Sequence, residues 1–153
     1  MEPIWSKTLA RTRLRNRLYD RLAHALQDQG EVLVGLPFRP LEHREVWIAD
    51  VGFLAAPRAL STEPDECLAG SPDLVAILLE PTHRVEEVNE WLDLCFDSGA
   101  TEFWVVEPGR TIVQVSYRDG TGRWYAPGEF IPLRVASGRQ IAVEHIFGEL
   151  EAD

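Results

Sequence analysis

The stretch that decides the fold is residues 71–108, which read SPDLVAILLEPTHRVEEVNEWLDLCFDSGATEFWVVEP. Its first part, 73–79, is apolar on both faces, which predicts a central strand covered by a layer on each side. A helical period follows over 85–98 and ends at Gly99. The apolar positions of this helix are Val85, Val88, Leu92, Cys95 and Phe96. A second strand over 102–108 completes a βαβ unit, so two parallel strands are expected at the centre of the sheet.

Upstream of this unit the sequence predicts one helix and a pair of strands. Leucine and alanine recur at three- and four-residue steps over 7–29, and Gly30 supplies a helix end. Residues 31–41 and 44–54 are rich in Val, Ile, Leu, Phe and Trp and are separated by turn residues. They are therefore expected to pair as neighbouring strands.

The rest of the chain is less regular. Residues 57–72 contain three prolines and a glycine and predict a loop, or a short helix within a loop. A hairpin is expected to turn at 119–122, and two short strands are expected at 130–134 and 141–145. No segment reads as a linker. The expected architecture is one α/β domain over 1–153: a mixed sheet flanked by helices, with a C-terminal β-hairpin region.

Composition limits the partners and the compartment. The net charge of −10 weakens the case for DNA binding, because phosphate contacts require surplus Lys and Arg. The longest apolar run, 74–79, is too short to cross a bilayer, which takes about 20 residues. Cys67 and Cys95 stand apart, and the first residues lack a signal-peptide apolar stretch. We therefore expect a cytoplasmic protein with two reduced thiols and no membrane partner.

Charge is concentrated in the first helix. Residues 1–29 carry six basic and three acidic side chains, whereas 30–153 carry nine basic and 22 acidic ones. Arg11 and Arg15 extend the apolar stripe of the helix, so their heads point along the edge of the core. Two interpretations remain open for this basic helix. It is a phosphate- or partner-binding surface, or it pairs with carboxylates of its own acidic domain.

The sequence lacks the usual motifs for nucleotide binding, serine-hydrolase chemistry and histidine metal sites. The sequence has no glycine-rich nucleotide loop of the GxxxxGK[ST] or GxGxxG type and no GxSxG nucleophile elbow. Its four histidines are isolated from one another and lack metal-ligand spacing. Each is expected to be a surface or hydrogen-bonded residue.

Four stretches resemble the Uma-type restriction endonucleases, bacterial domains of the PD-(D/E)XK nuclease superfamily. They are the leucine-striped helix over 8–27, VWIADVGFLAA at 46–56, SPDLVAILLEPT at 71–82 and SGATEFWVVEP at 98–108. The family has segments similar to PDVAFV, PDLVVEVLSPS and AGVxEYWLVDP. A helix of equal length joins the last two without a gap. The resemblance implies a restriction-endonuclease-like fold and a homodimer.

The resemblance also implies where a metal-dependent nuclease site would lie. Acidic ligands would hold Mg²⁺ at the edge of the central sheet, and a lysine would position the attacking water. Asp50 occupies the first ligand position, but Ile77 stands where the family has its second acid and Trp91 where it has the lysine. Lys7, the only lysine of the chain, lies in the wrong element. The catalytic motif is therefore degenerate.

The remaining acids of this region are Asp73 and Glu80. Like Asp50, each is a candidate metal ligand, and each also fits a structural carboxylate that accepts hydrogen bonds. The pair Ile77 and Trp91 predicts apolar packing in the former cleft, or else a pocket for a small apolar or aromatic ligand.

Three function classes follow. The first is a catalytically inactive nuclease-like domain that serves as a binding or assembly module and needs no cofactor. The second is an Mg²⁺-dependent DNA endonuclease whose water-activating group has moved to another side chain, such as Arg84 or Glu90. The third is a small-ligand-binding or structural domain.

Overall fold

The computed structural model describes residues 8–41 and 45–148. Glu2, Lys7 and His43 lie outside these ranges. In chain order the elements are α1 (Leu9–Leu26), β1 (Gly30–Arg39), β2 (Trp47–Ala55), α2 (Ala56–Ser61), β3 (Leu68–Ala69), β4 (Leu74–Leu78), α3 (Val85–Asp97), β5 (Glu102–Glu107), β6 (Ile112–Tyr117), β7 (Gly122–Tyr125), β8 (Phe130–Pro132), β9 (Gln140–Ala142) and α4 (Val143–Phe147).

One mixed sheet organises the described residues, with strand order β3-β1-β2-β4-β5-β6-β7. The central strands β4 and β5 are parallel, from Leu74 opposite Glu102 to Leu78 opposite Val106, and α3 makes the crossover between them. The neighbours β2 and β6 run antiparallel to this pair. The predicted βαβ unit and the mixed α/β sheet are therefore confirmed.

The sheet separates two apolar layers, because β4 is buried on both faces. We call the first layer the α1-side core; it includes Leu14, Leu18, Leu22, Leu26, Val51, Phe53, Leu74, Ala76, Leu78 and Trp104. The second, the α3-side core, includes Leu36, Phe38, Trp47, Ala49, Val75, Ile77, Cys95, Phe103 and Val105, with Val88, Trp91 and Leu92 of α3 packed against it. Successive side chains of a strand point to opposite faces, which divides β4 between the layers.

Helix α1 lies on one face through its leucine stripe. Thr8 caps its start by accepting a hydrogen bond from the Arg11 N–H at 3.3 Å, which satisfies one of the free amides of the first turn. Arg15 is only 6% exposed although it is charged. The arginine predicted at the edge of the core is thus inside it, where it needs a counter-charge.

Two details correct the sequence-based predictions, while the expected C-terminal β-hairpin region is confirmed by the pairing of β8 with β9. The strand expected at 141–145 ends at Ala142, and helix α4 begins at Val143. The strands β8 and β9 pair with each other in a separate two-stranded sheet. Val85, expected in the core, is 73% exposed, because the first turn of α3 projects beyond the apolar layer.

Side-chain alternation breaks where β1 and β2 pair. Gly35 of β1 has a φ of 63°, a left-handed conformation that glycine adopts without strain. On β2, Val51 and Phe53 belong to the α1-side core, whereas Ala49 belongs to the α3-side core. Regular alternation would keep these three side chains on one face. Asp50 lies at the change of face.

None of the helices in the described part of the chain is both long and apolar enough to cross a membrane.

Candidate functional site

Asp50 is the first of the predicted metal ligands, and its carboxylate lies at the carboxyl end of β4. Its Oδ2 accepts a hydrogen bond from the Leu78 N–H at 2.9 Å, and its Oδ1 lies 3.6 Å from Nη1 of Arg15. Burial raises the pKa of the Asp50 carboxyl, while the Leu78 amide and the Arg15 charge oppose that rise. Both oxygens of Asp50 are therefore engaged with groups of the chain itself.

Glu80 lies beside Asp50, just beyond the end of β4. Its Oε1 is 3.4 Å from Nη1 of Arg11, and the same nitrogen donates to the Leu79 carbonyl oxygen at 2.9 Å. The negative charge of Glu80 contributes to the raised pKa of Asp50. The negative charges of the two carboxylates therefore repel each other, and one arginine of α1 faces each carboxylate.

His83 belongs to the same cluster, although its isolated position in the sequence gave no sign of this. Its Nδ1 accepts a hydrogen bond from the Glu80 N–H at 3.1 Å, so that nitrogen carries no proton. Its ring meets the Trp91 ring edge-to-face, with centroids 4.9 Å apart. Partial burial lowers the pKa of His83, which favours the neutral ring.

Asp73, the third candidate ligand, lies away from this cluster at the opposite end of β4. Its Oδ2 accepts a hydrogen bond from the Ala55 N–H at 2.9 Å and lies 3.6 Å from Nη1 of Arg58. Arg58 also donates to the Ser71 carbonyl oxygen at 2.7 Å. These contacts join α2 to the start of β4.

Ile77 and Trp91, which the resemblance assigns to the motif acid and lysine, lie in the α3-side core. Ile77 is 2% exposed within β4, and half-buried Trp91 packs against the same apolar cluster from α3. Neither side chain offers an oxygen for a metal ion, and neither carries a charge. The space between β4 and α3 at this level is filled by packing.

A divalent ion needs several oxygen ligands, and Mg²⁺ in particular takes near-octahedral geometry. Within residues 8–41 and 45–148, no group of three or more His, Cys, Asp or Glu side chains is arranged to hold a metal. Asp50 and Glu80 both face guanidinium groups instead. The donor set at this edge of the sheet does not fit Mg²⁺.

A further buried carboxylate, Glu102, lies at the start of β5 and was not singled out by the sequence. It is fully buried and accepts hydrogen bonds from Trp104 Nε1 at 2.9 Å and from the amides of Arg134 and Val135 at 2.7 and 2.9 Å. Burial raises the pKa of Glu102. The two amide donors tie the segment after β8 to the central sheet.

Comparisons with known proteins bear on the fold. No protein-family model matches the chain, and no curated protein matches it significantly in sequence. Among solved structures, it is similar to the crystal structure titled "putative nuclease belonging to DUF820" from Anabaena variabilis, with a TM-score of 0.78 and 15% sequence identity. The alignment covers 96% of this chain and 84% of the other. The likeness shows that this chain has a nuclease-like α/β fold.

Proposed function

We propose that the chain is a degenerate Uma-type relative of the PD-(D/E)XK nucleases that does not cleave DNA and acts as a binding or assembly module. The observation that carries this proposal is the burial of Ile77, the residue that the resemblance assigns to the second metal-ligand position. The nuclease-like fold supports the superfamily. The apolar packing of Ile77 and Trp91 supports the loss of activity.

The chemistry of the reaction explains why these two positions matter. Cleaving a phosphodiester places negative charge on the attacking water, the phosphate and the leaving oxygen, so a nuclease must supply concentrated positive charge and a proton acceptor. Ile77 supplies neither. Trp91 offers only a weak N–H donor. Asp50 alone would hold a divalent ion poorly, because such ions bind through several oxygens.

The side chains named for a relocated catalytic group have other surroundings. Arg84 is an exposed side chain that lies 3.5 Å from Glu87, and its own N–H donates to Glu87 at 3.0 Å at the start of α3. Glu90 is exposed on the same helix. These contacts favour a helix-capping role for Arg84 and a solvated position for Glu90.

The partner class of the module is the second part of the proposal. A second copy of the chain is the first candidate, because the family resemblance implies a homodimer. DNA is the weaker candidate, since a net charge of −10 opposes approach to phosphates. The mass of the purified chain in solution and its retention on DNA at low salt distinguish the two.

Restoring the motif tests the assignment of the site. Ile77→Glu combined with Trp91→Lys is expected to create Mn²⁺ binding that the unmodified chain lacks, because a second carboxylate joins Asp50 and Ile77 gives up its apolar packing. The double variant should also lose about 3 kcal/mol or more of unfolding free energy, since two charges enter an apolar layer. Calorimetric titration with MnCl₂ measures binding, and denaturant unfolding measures stability.

The matched control is the same double variant with Asp50→Asn, which should abolish the gained binding. Binding that survives this third change would mean that the ion uses other ligands. A folded double variant without any Mn²⁺ binding, even when Arg15→Met also removes the cation beside Asp50, would contradict the placement of Ile77 and Trp91 at the motif positions.

A further inference from the structure

Two carboxylates meet at the carboxyl end of β4, and both are compensated from one helix. Arg15 of α1 faces Asp50 at 3.6 Å, and Arg11 faces Glu80 at 3.4 Å. Asp50, Glu80 and Arg11 are each at least three-quarters buried, and Arg15 is nearly completely so. Charges this far removed from water require partners of opposite sign.

The spacing of the two arginines in α1 makes the arrangement specific. Residues four apart lie on the same face of a helix, about one turn from each other, and two like charges at that spacing repel. The repulsion is tolerable here because a carboxylate lies opposite each guanidinium. Arg13 and Arg21, on other faces of the same helix, are exposed. The leucine stripe turns Arg11 and Arg15 inward, and the carboxylates opposite them balance their charges.

We propose that Arg11 and Arg15 are an internal counter-cation: their two guanidinium groups hold Asp50 and Glu80 together where a divalent cation would otherwise be required. The inference rests on the proposed function and deepens it by naming the cationic group that takes the place of a metal. It assigns α1 a role in charge balance at the sheet edge in addition to its apolar packing.

The test is to remove the guanidinium groups and offer a metal. Arg11→Met with Arg15→Met keeps apolar volume while leaving Asp50 and Glu80 without their cations. The melting temperature of this variant should fall and should then rise by roughly 3 °C or more in about 10 mM MnCl₂, because a ligand that binds only the folded state stabilises it. The unmodified chain should show no such rise.

Two further variants make the result specific. Arg118→Met is the matched control, because Arg118 donates to the neutral carbonyl oxygen of Ala100 at 3.2 and 3.0 Å. It should lower the melting temperature without conferring a response to Mn²⁺. Adding Asp50→Asn to the Arg11 and Arg15 double variant should remove the response.

A folded double variant whose melting temperature does not respond to Mn²⁺, or an equal response from Arg118→Met, would overturn the inference. If the double variant does not fold, the unfolding free energies of Arg15→Met, Asp50→Asn and their combination form a double-mutant cycle that tests the pair. If the combined variant loses less unfolding free energy than the sum of the two single losses, the pair is coupled and the inference is supported. Additive losses refute it. Neither result depends on DNA cleavage, so failure here leaves the proposed function standing, and cleavage by the unmodified chain would refute that function separately.

Discussion

Replacing Glu102 with alanine is expected to lower the free energy of unfolding by about 3–5 kcal/mol. The side chain is fully buried, and its removal leaves Trp104 Nε1 and the amides of Arg134 and Val135 without their acceptor. Each buried donor that loses its partner costs about 1–3 kcal/mol. Urea unfolding followed by tryptophan fluorescence measures the change.

Glu129→Ala is the matched control for this loss. Glu129 also accepts from a backbone amide, that of Ala126 at 2.8 Å, and pairs with Arg123 at 2.7 Å, but its side chain is 41% exposed. Water can replace these partners, so the control should cost much less unfolding free energy than Glu102→Ala. Equal losses for the two variants would show that burial does not give Glu102 its importance.

Gly30→Ala is expected to destabilise the fold by about 3 kcal/mol or more, because it forces the two long strands apart. A Cβ at position 30 would lie 2.0 Å from the Leu54 carbonyl oxygen and 3.0 Å from Cα of Ala55. Both atoms belong to the backbone of β2, which cannot move aside without breaking its pairing with β1. Thermal unfolding measures the effect.

The control for this substitution is Gly109→Ala. A Cβ at position 109 would meet nothing within 4 Å, so the change should be neutral, or stabilising by about 0.5 kcal/mol, since alanine restricts the unfolded chain. A similar loss at both positions would contradict the close approach of the backbones at Gly30.

The hydrophobic periodicity of the sequence predicts most of the fold. The helical spacing of α3 lies between the apolar stretches of β4 and β5, and this order predicts the parallel pair. The same reasoning failed over 141–147, because a short apolar stretch fits a strand and a helical turn equally well. The sequence predicts only a helix end at Gly30. The structure adds a close approach of its backbone to Leu54 and Ala55 of β2, a strand distant in sequence.

The candidate site was only partly visible in the sequence. The position of Arg15 on the leucine stripe predicted its inward direction, but its partner Asp50 is 35 residues away and is reached only through the sheet. His83 has no histidine or cysteine at a metal-ligand spacing, so no motif indicates that it belongs to the cluster. Glu102 begins an apolar strand, and nothing local indicates that its acceptors serve a segment more than 30 residues further along the chain.

The most direct measurement is a cleavage assay with the purified, unmodified chain. Supercoiled plasmid and single-stranded DNA are incubated with MgCl₂ or MnCl₂, alongside an Asp50→Ala variant. We predict the same background level of nicking for both proteins and for DNA alone, because Ile77 and Trp91 provide neither a carboxylate nor a charge and Arg15 and Arg11 already face Asp50 and Glu80. Metal-dependent cleavage by the unmodified chain that Asp50→Ala abolishes would contradict it.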